Sequence, residues 1–402
     1  MSSGHTHSSH GSTPASDVSR SVLFGLTMML LLATVIGVIS LWPDSGSRPE
    51  RSTLLAPGVE ILVAEVTTVP ESGEPEQPVL VEAVGRSSTI AGESVEVDIP
   101  PEIVADGLHV GDRIRILSIE EAGSDQPYYY FDHQRGLPLW ILFVVYLAVV
   151  ALVARGSGLR AVLGLAAGVA IVLGFMLPAI LAGEHAVLVA LVAASAMIFP
   201  SVYFAHGVSV RTTTAVLGTF GGIAITVIAA LTSGRMAGMT GADGEAAKLL
   251  AGSQPQVSLS AVFLAGVIIS GLGALNDVTI TQASSVWELR AAMPKASRWE
   301  VFSSAMRIGR DHIASTVYTL AYAYIGSALP TILYASTLER SLLGTLTAGE
   351  IAAEVFRTLI ASIGLVLAIP LTTGIAAALA TSTDRPPPKT RRQMLEERLG
   401  AL

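Results

Sequence analysis

One stretch in the C-terminal half of the chain gathers polar side chains at a spacing that could do chemistry. Steps of three and four from Gly266 reach Ser270, Gly273, Asp277, Thr281, Ser284 and Glu288, which share one face of a helix. All of them are small or polar, although the segment around the first four is otherwise apolar. Small residues let a neighbouring helix come close. A carboxylate in hydrocarbon is costly enough that it faces a protein interior or a wet cavity. Asp277 is therefore the leading candidate for binding an ion or solute, with Asn276, Thr281, Ser284 and Glu288 beside it. The bland alternative puts Asp277 at the cytoplasmic end of its span, solvated or paired with Arg307 or Arg310. Gly271 and Gly273 also leave open a helix break of the kind that transporters use at binding sites.

The same logic continues downstream. Asp311, Ser315, Tyr318 and Tyr322 share a face at helical spacing, and Asp311 is also placed to cap a helix N-terminus. Glu354, Arg357, Ala361, Gly364 and Ala368 form a polar-then-small stripe in which Glu354 and Arg357, three apart, can pair. Asp311, Glu354 and Arg357 therefore complete the candidate set. Pro370 and Gly374 suggest a kink beyond that stripe, and Gly164 with Gly168 is a helix-packing signal of low specificity.

Several chemistries are excluded. The chain has no cysteine, which removes disulfides, thiolate metal sites and cysteine nucleophiles. It has no Gly-Lys pair and so no Walker-type phosphate loop, and neither His-Glu-x-x-His nor Gly-x-Ser-x-Gly occurs. The Gly-x-Gly-Asp element of an intramembrane aspartyl protease is missing, since Gly273 is followed by Ala274, Leu275 and Asn276 before Asp277. No catalytic set, cofactor or metal site is expected, and the protein reads as no enzyme. His5, His7 and His10 lie in a Ser/Gly/Thr-rich tail that cannot form a core and at most grips a metal weakly.

The elements that must hold these residues are membrane helices. Apolar residues make up 51% of the chain and charged ones only 14%, and the mean hydropathy of +0.60 lies outside the range of soluble domains. Windows of bilayer length fall at 22–41, 137–154, 161–181, 186–204, 212–231, 257–278, 313–334 and 355–381, about eight spans. With the N-terminus cytoplasmic, Arg20, Arg155, Arg160, Arg211, Arg290, Lys295, Arg298, Arg307, Arg310 and the C-terminal basic cluster fall inside. The short outer loops then hold only Arg235, Lys248, Arg340 and Arg357. That asymmetry is what the positive-inside rule asks for, with both termini cytoplasmic. The first span reads as an uncleaved anchor rather than a signal peptide.

Between the first two spans the pattern changes to short alternating runs at 60–69, 79–84, 95–99 and 112–119, which read as strands of a small barrel or sandwich. The run Tyr128 to Phe131 reads as an aromatic anchor at the membrane interface. The expected fold is mainly α, a polytopic helical membrane bundle with a small extracytoplasmic β-rich domain. Residues 1–21 form a disordered cytoplasmic tail, 22–41 the first helix, 42–136 the β-rich domain, 137–381 a membrane domain of about seven helices and 382–402 a basic cytoplasmic tail.

Three stretches resemble the YibE/F-like family of bacterial multi-pass membrane proteins: GLGALNDVTITQASSVWEL from Gly271, GRDHIASTVYTLAYAYIG from Gly309 and EVFRTLIASIGLVLAIPLTTGIAAAL from Glu354. The resemblance covers roughly 128–379, and the family's pattern corresponds to Asp277 in the first stretch, to Gly309, Arg310 and Asp311 in the second and to Arg357 in the third. It implies a bacterial plasma-membrane protein and no particular activity. Two functions follow as expectations: a secondary transporter or permease using intramembrane carboxylates, or a scaffold or assembly factor acting through the outer domain. The expected partners are the lipid bilayer and a small solute or ion, with a homo-oligomer left open and nucleic acid excluded.

Overall fold

The structure, a computed structural model, describes residues 17–44, 46, 59–69, 79–105, 107–119 and 128–380. The histidine-bearing tail and the basic C-terminal segment lie outside these residues. The chain divides into two compact units, residues 50–155 and residues 1–49 with 156–402.

Helix α1 covers Asp17–Ser40 and is apolar along most of its length. Its two buried threonines return their hydroxyls to their own helix, Thr27 to the Leu23 carbonyl at 2.9 Å and Thr34 to the Leu30 carbonyl at 2.8 Å. Neither hydroxyl is therefore left unsatisfied.

In the first unit, β1 (Val59–Thr68), β2 (Val79–Gly85), β3 (Ser94–Ile99), β4 (Arg113–Ile119) and β5 (Tyr128–His133) close into a barrel in the order β1-β2-β3-β5-β4. A short helix α2 (Pro101–Ala105) joins β3 to β4, and β3–β5 is the parallel pair. This is the order of an OB-type barrel, and closure removes exposed strand edges. Alternation builds it. Val79, Val81 and Ala83 of β2 point inward while Leu80 and Glu82 point out. Ile114 and Ile116 are fully buried between the outward Arg113 and Arg115. The aromatic run Tyr128 to Phe131, read from the sequence as an interfacial anchor, is instead strand β5. Aromatic residues suit a pleated surface, and Tyr128 and Tyr130 pack on the barrel core while Phe131 lies outward under the Arg115 guanidinium. Outside the barrel, Glu65 receives Arg86 at 3.0 Å and Arg113 at 3.5 Å.

Helix α3 (Gly136–Ile171) runs on through a π-helical turn (Val172–Met176) into α4 (Leu177–Leu181). At Arg155 the backbone leaves the helix (φ 51°, ψ −139°), between the sequence windows 137–154 and 161–181. There follow α5 (Ala186–His206), α6 (Val210–Met236), α7 (Glu245–Ser253), α8 (Leu259–Ser270), α9 (Leu272–Ala292), α10 (Arg298–Ser327), α11 (Leu329–Ser336), α12 (Leu342–Leu346) and α13 (Gly349–Leu379).

Among the described residues six helical runs are long and apolar enough to cross a membrane. One of them, Gly136–Leu181, holds two of the sequence windows. The window 313–334 falls on α10 and α11, whose Tyr, Ser and Thr content keeps it out of that set. The basic segment 290–310 is largely helical: α9 continues to Ala292 and α10 begins at Arg298. Ser297 caps α10, its Oγ accepting from the Glu300 N–H at 3.2 Å while the Glu300 carboxylate accepts from the Ser297 N–H at 2.6 Å. Asp311 therefore lies within α10 and caps nothing.

The helical unit is held by close backbone approaches. A Cβ on Gly218 of α6 would overlap Thr372 Oγ1 of α13, and one on Gly364 of α13 would overlap Thr226 Oγ1 of α6. Gly222 sits against Leu275 and Ala368. The predicted Ala361–Gly364–Ala368 stripe thus packs inward, and Gly271 lies against Ala361. Gly164 and Gly168 likewise bring α3 onto Ser201, Pro200 and Met197 of α5.

Candidate functional site

Gly271 joins α8 to α9, and its φ of −86° and ψ of −8° stay close to helical. The Leu275 N–H donates to the Gly271 carbonyl at 3.0 Å, so helical hydrogen bonding resumes within one turn. The break raised from Gly271 and Gly273 is a joint of one residue and not an unwound stretch. Two buried contacts fix the face that α9 presents. Thr219 and Thr279 share a hydrogen bond of 2.7 Å between α6 and α9, and the Gln282 amide donates to the Ala305 carbonyl of α10 at 2.8 Å. Both groups sit on the side of α9 opposite the polar stripe.

With that side anchored, the stripe faces outward. Asp277, Thr281, Ser284 and Glu288 line a groove of about 630 Å³, together with Ser285, Leu289, His206 at the end of α5 and Ile308 of α10. Asp277 and Glu288 are exposed in it, and neither makes a hydrogen bond or ion pair with a described residue. No ion pair joins Asp277 to Arg307 or Arg310 among the described residues. His206 and Asp277 line the same groove, and no hydrogen bond or ion pair joins them among the described residues.

The remaining candidates lie elsewhere. Consecutive helical residues point about 100° apart, which turns Asn276 away from the groove. Its Nδ2 donates to Ser201 Oγ at 3.0 Å, and its buried Oδ1 has no partner among the described residues. Asp311 is exposed on α10 outside the groove lining. Arg357 donates to Glu354 near the start of α13. Gly271 at the start of α9 packs against Ala361, so Arg357 lies a turn of α13 beyond that end of α9 and does not line the groove.

Sequence spacing missed His206 and Ser285. The signal for Ser285 was adjacency to Ser284. That for His206 was a titratable residue at the end of an apolar window, but nothing local tied it to a helix that begins 66 residues later. Among the described residues no group of three or more His, Asp or Glu is arranged to hold a metal.

Asp277 and Glu288 are separated by three turns, about 16 Å, so a single ion cannot touch both. The groove offers instead a ladder: the Asp277 carboxylate with the His206 imidazole on its wall, three hydroxyls, then a second carboxylate. Such a series suits a proton or a small oxygen-liganded cation handed from step to step.

Residues 142–382 match the family model described as YibE/F-like protein. The chain belongs to the YibE/F-like family. No curated protein and no solved structure matches it. The YibE/F-like region contains every groove residue together with the α6–α13 seam, and it begins after the last strand of the barrel. Family membership and the long apolar helices together mark a multi-pass membrane protein.

Proposed function

We propose that this YibE/F-like protein is a secondary transporter or permease of the bacterial plasma membrane, with a proton or small cation taken up in the Asp277–His206 groove. The observation that carries this reading is the convergence of Asp277, Thr281, Ser284 and Glu288 with His206 around one groove, on a helix locked to its neighbours from the other side. The Asp277 carboxylate supplies a negative charge to the groove, and the hydroxyls of Thr281, Ser284 and Ser285 beside it supply oxygen ligands. About eight spans with both termini cytoplasmic is the topology that fits the charge distribution. No catalytic role or bound cofactor belongs to this reading.

The test is ion and pH-gradient flux in proteoliposomes, comparing wild type with Asp277→Asn at equal protein content. Flux in the wild type that the variant loses supports the reading; leak-level flux in both sinks it.

A second reading is a scaffold or assembly factor. It draws on the barrel, a closed unit with its own core that lies outside the family match. Removing residues 57–121 would then abolish function in cells while Asp277→Asn leaves it intact. The transporter reading expects loss with Asp277→Asn.

A further inference from the structure

Helix α10 carries a polar face that the described chain leaves uncovered. Arg307, Asp311, Ser315, Tyr318 and Tyr322 recur at steps of four, four, three and four, so they share one side of the helix. All five are exposed, Tyr318 at 58% and Tyr322 at 69%, and the two rings lie 6.2 Å apart between centroids. Arg307 donates to Ser304 Oγ of its own helix at 3.1 Å. Neither Arg307 nor Asp311 has an ion-pair partner among the described residues.

The opposite side of α10 fixes the depth of this face. Gly309 lies against Ile369 of α13 and Gln282 of α9, and Leu320 shares a buried cluster with Val278 of α9 and with Ala361 and Leu365 of α13. Asp311, Ser315 and Tyr318 fall between Gly309 and Leu320, so they stand level with the stretch of α13 from Ala361 to Ile369. Helix α13 is long and apolar enough to cross a membrane, and that stretch straddles its middle. A carboxylate at such a depth is too costly to leave against hydrocarbon and is directed at protein or a wet cavity. Asp311 does not line the groove.

The side chains on the face say which protein covers it. A second copy inserted in the same direction, related by a two-fold axis along the bilayer normal, sets every residue at the depth of its own counterpart. Arg307 and Asp311 are about 6 Å apart along the helix axis, within the span of an arginine side chain. In a parallel pair of α10 helices the Arg307 of each copy therefore reaches the Asp311 of the other, and the contact is made twice. The face offers both charges in equal number, so it complements itself. An apolar partner helix would leave both charges bare. Ser315 is small enough to let the two helices close, and Tyr318 with Tyr322 adds ring surface beside it.

We propose that the chain forms a parallel homodimer through α10, with Arg307 of each copy paired to Asp311 of the other and Ser315 near the two-fold axis. The pairing does not rest on the transport reading.

The chain has no cysteine, so single substitutions report contacts without background. The experiment is copper-phenanthroline oxidation of the full chain in membranes, read on non-reducing gels, for Ser315→Cys, Tyr322→Cys and the control Ile228→Cys, an exposed position on α6. A disulfide-linked band at twice the 41.7 kDa monomer is expected from the first two and not from the third, because residues near a two-fold axis meet their own counterparts. In the Ser315→Cys background, Arg307→Asp and Asp311→Arg should each lower the linked fraction several-fold by setting like charges opposite one another, and the combined swap should restore it. Native mass spectrometry of the cysteine-free chain in dodecyl maltoside should show a dimer that Asp311→Asn shifts towards monomer. Linkage absent at both Ser315 and Tyr322, linkage equally strong at Ile228, or a linked fraction that neither charge reversal changes overturns the proposal. A Ser315→Cys adduct with a different protein in place of the dimer overturns it as well, by placing another partner on the face.

Discussion

Replacing Gly218 by Ala puts one methyl group into the tightest seam of the helical unit. Its Cβ would overlap Thr372 Oγ1 and come within 2.9 Å of Thr372 Cβ and 3.0 Å of its Cγ2. Thr372 is fully buried, and a β-branched Cβ cannot swing aside as the tip of a flexible side chain can. The helices α6 and α13 must then move apart along a seam that also holds Gly222, Thr226, Gly364 and Ala368. Overpacking by one methylene costs roughly 1–3 kcal/mol. The better helix propensity of Ala returns up to about 1 kcal/mol. With the full return the net loss is about 0–2 kcal/mol, and the gap to a control that gains the propensity without the clash is about 1–3 kcal/mol. Gly266→Ala is the control, because nothing lies within 4 Å of its added Cβ, and it should be neutral or slightly stabilising. Adding Thr372→Ala to Gly218→Ala removes the colliding atoms and should recover most of the loss, a coupling that a double-mutant cycle reads directly. The assay is thermal unfolding of the detergent-solubilised full chain. Equal midpoints for Gly218→Ala and Gly266→Ala would refute the seam.

Other outcomes follow from single contacts. Thr279→Val removes the buried hydrogen bond to Thr219 with little change of shape and should destabilise the protein by about 0.6–1.7 kcal/mol, read in the same unfolding assay; no change would mean that the α6–α9 contact is only steric. Ser297→Ala deletes the α10 cap and should cost about 0.5–2 kcal/mol, with faster hydrogen exchange confined to the first turn of α10. In the barrel, the hydrogen bond from Arg86, helped by Arg113, holds the Glu65 carboxyl below its ordinary range. Its contribution is therefore full above the ordinary carboxylate range and is lost as pH falls through the lowered value. The melting difference between wild type and Glu65→Gln should be positive at neutral pH and shrink towards zero in acid, and a difference that ignores pH would contradict the pairing.

The groove was half legible in the sequence. Asp277, Thr281, Ser284 and Glu288 are spaced by one helix's own geometry, so periodicity alone puts them on one face. His206 comes from another helix, and only tertiary packing brings it there. Asn276 shows the limit from the other side, since adjacency in sequence suggested a shared site while the helical turn sends its side chain to Ser201. The seam followed the same division. The stripe on α13 was readable, but its partner glycines, Gly218 and Gly222, went unused although they stand four apart. In the barrel the four aliphatic strands were visible as alternation. The strand Tyr128–His133 was not, because tyrosines serve equally well at a membrane interface and in a sheet. Asp311 was misplaced for a related reason: the cap lies at Ser297, and a polar first half of α10 hides where the helix begins.

The most direct test of the central claim is proton flux into proteoliposomes under an imposed pH gradient, followed with a trapped pH-sensitive dye for wild type and Asp277→Asn. Flux in wild type, with leak-level signal in Asp277→Asn, is the result expected if the groove carries the ion. Flux that survives in Asp277→Asn, or none in either, would contradict it.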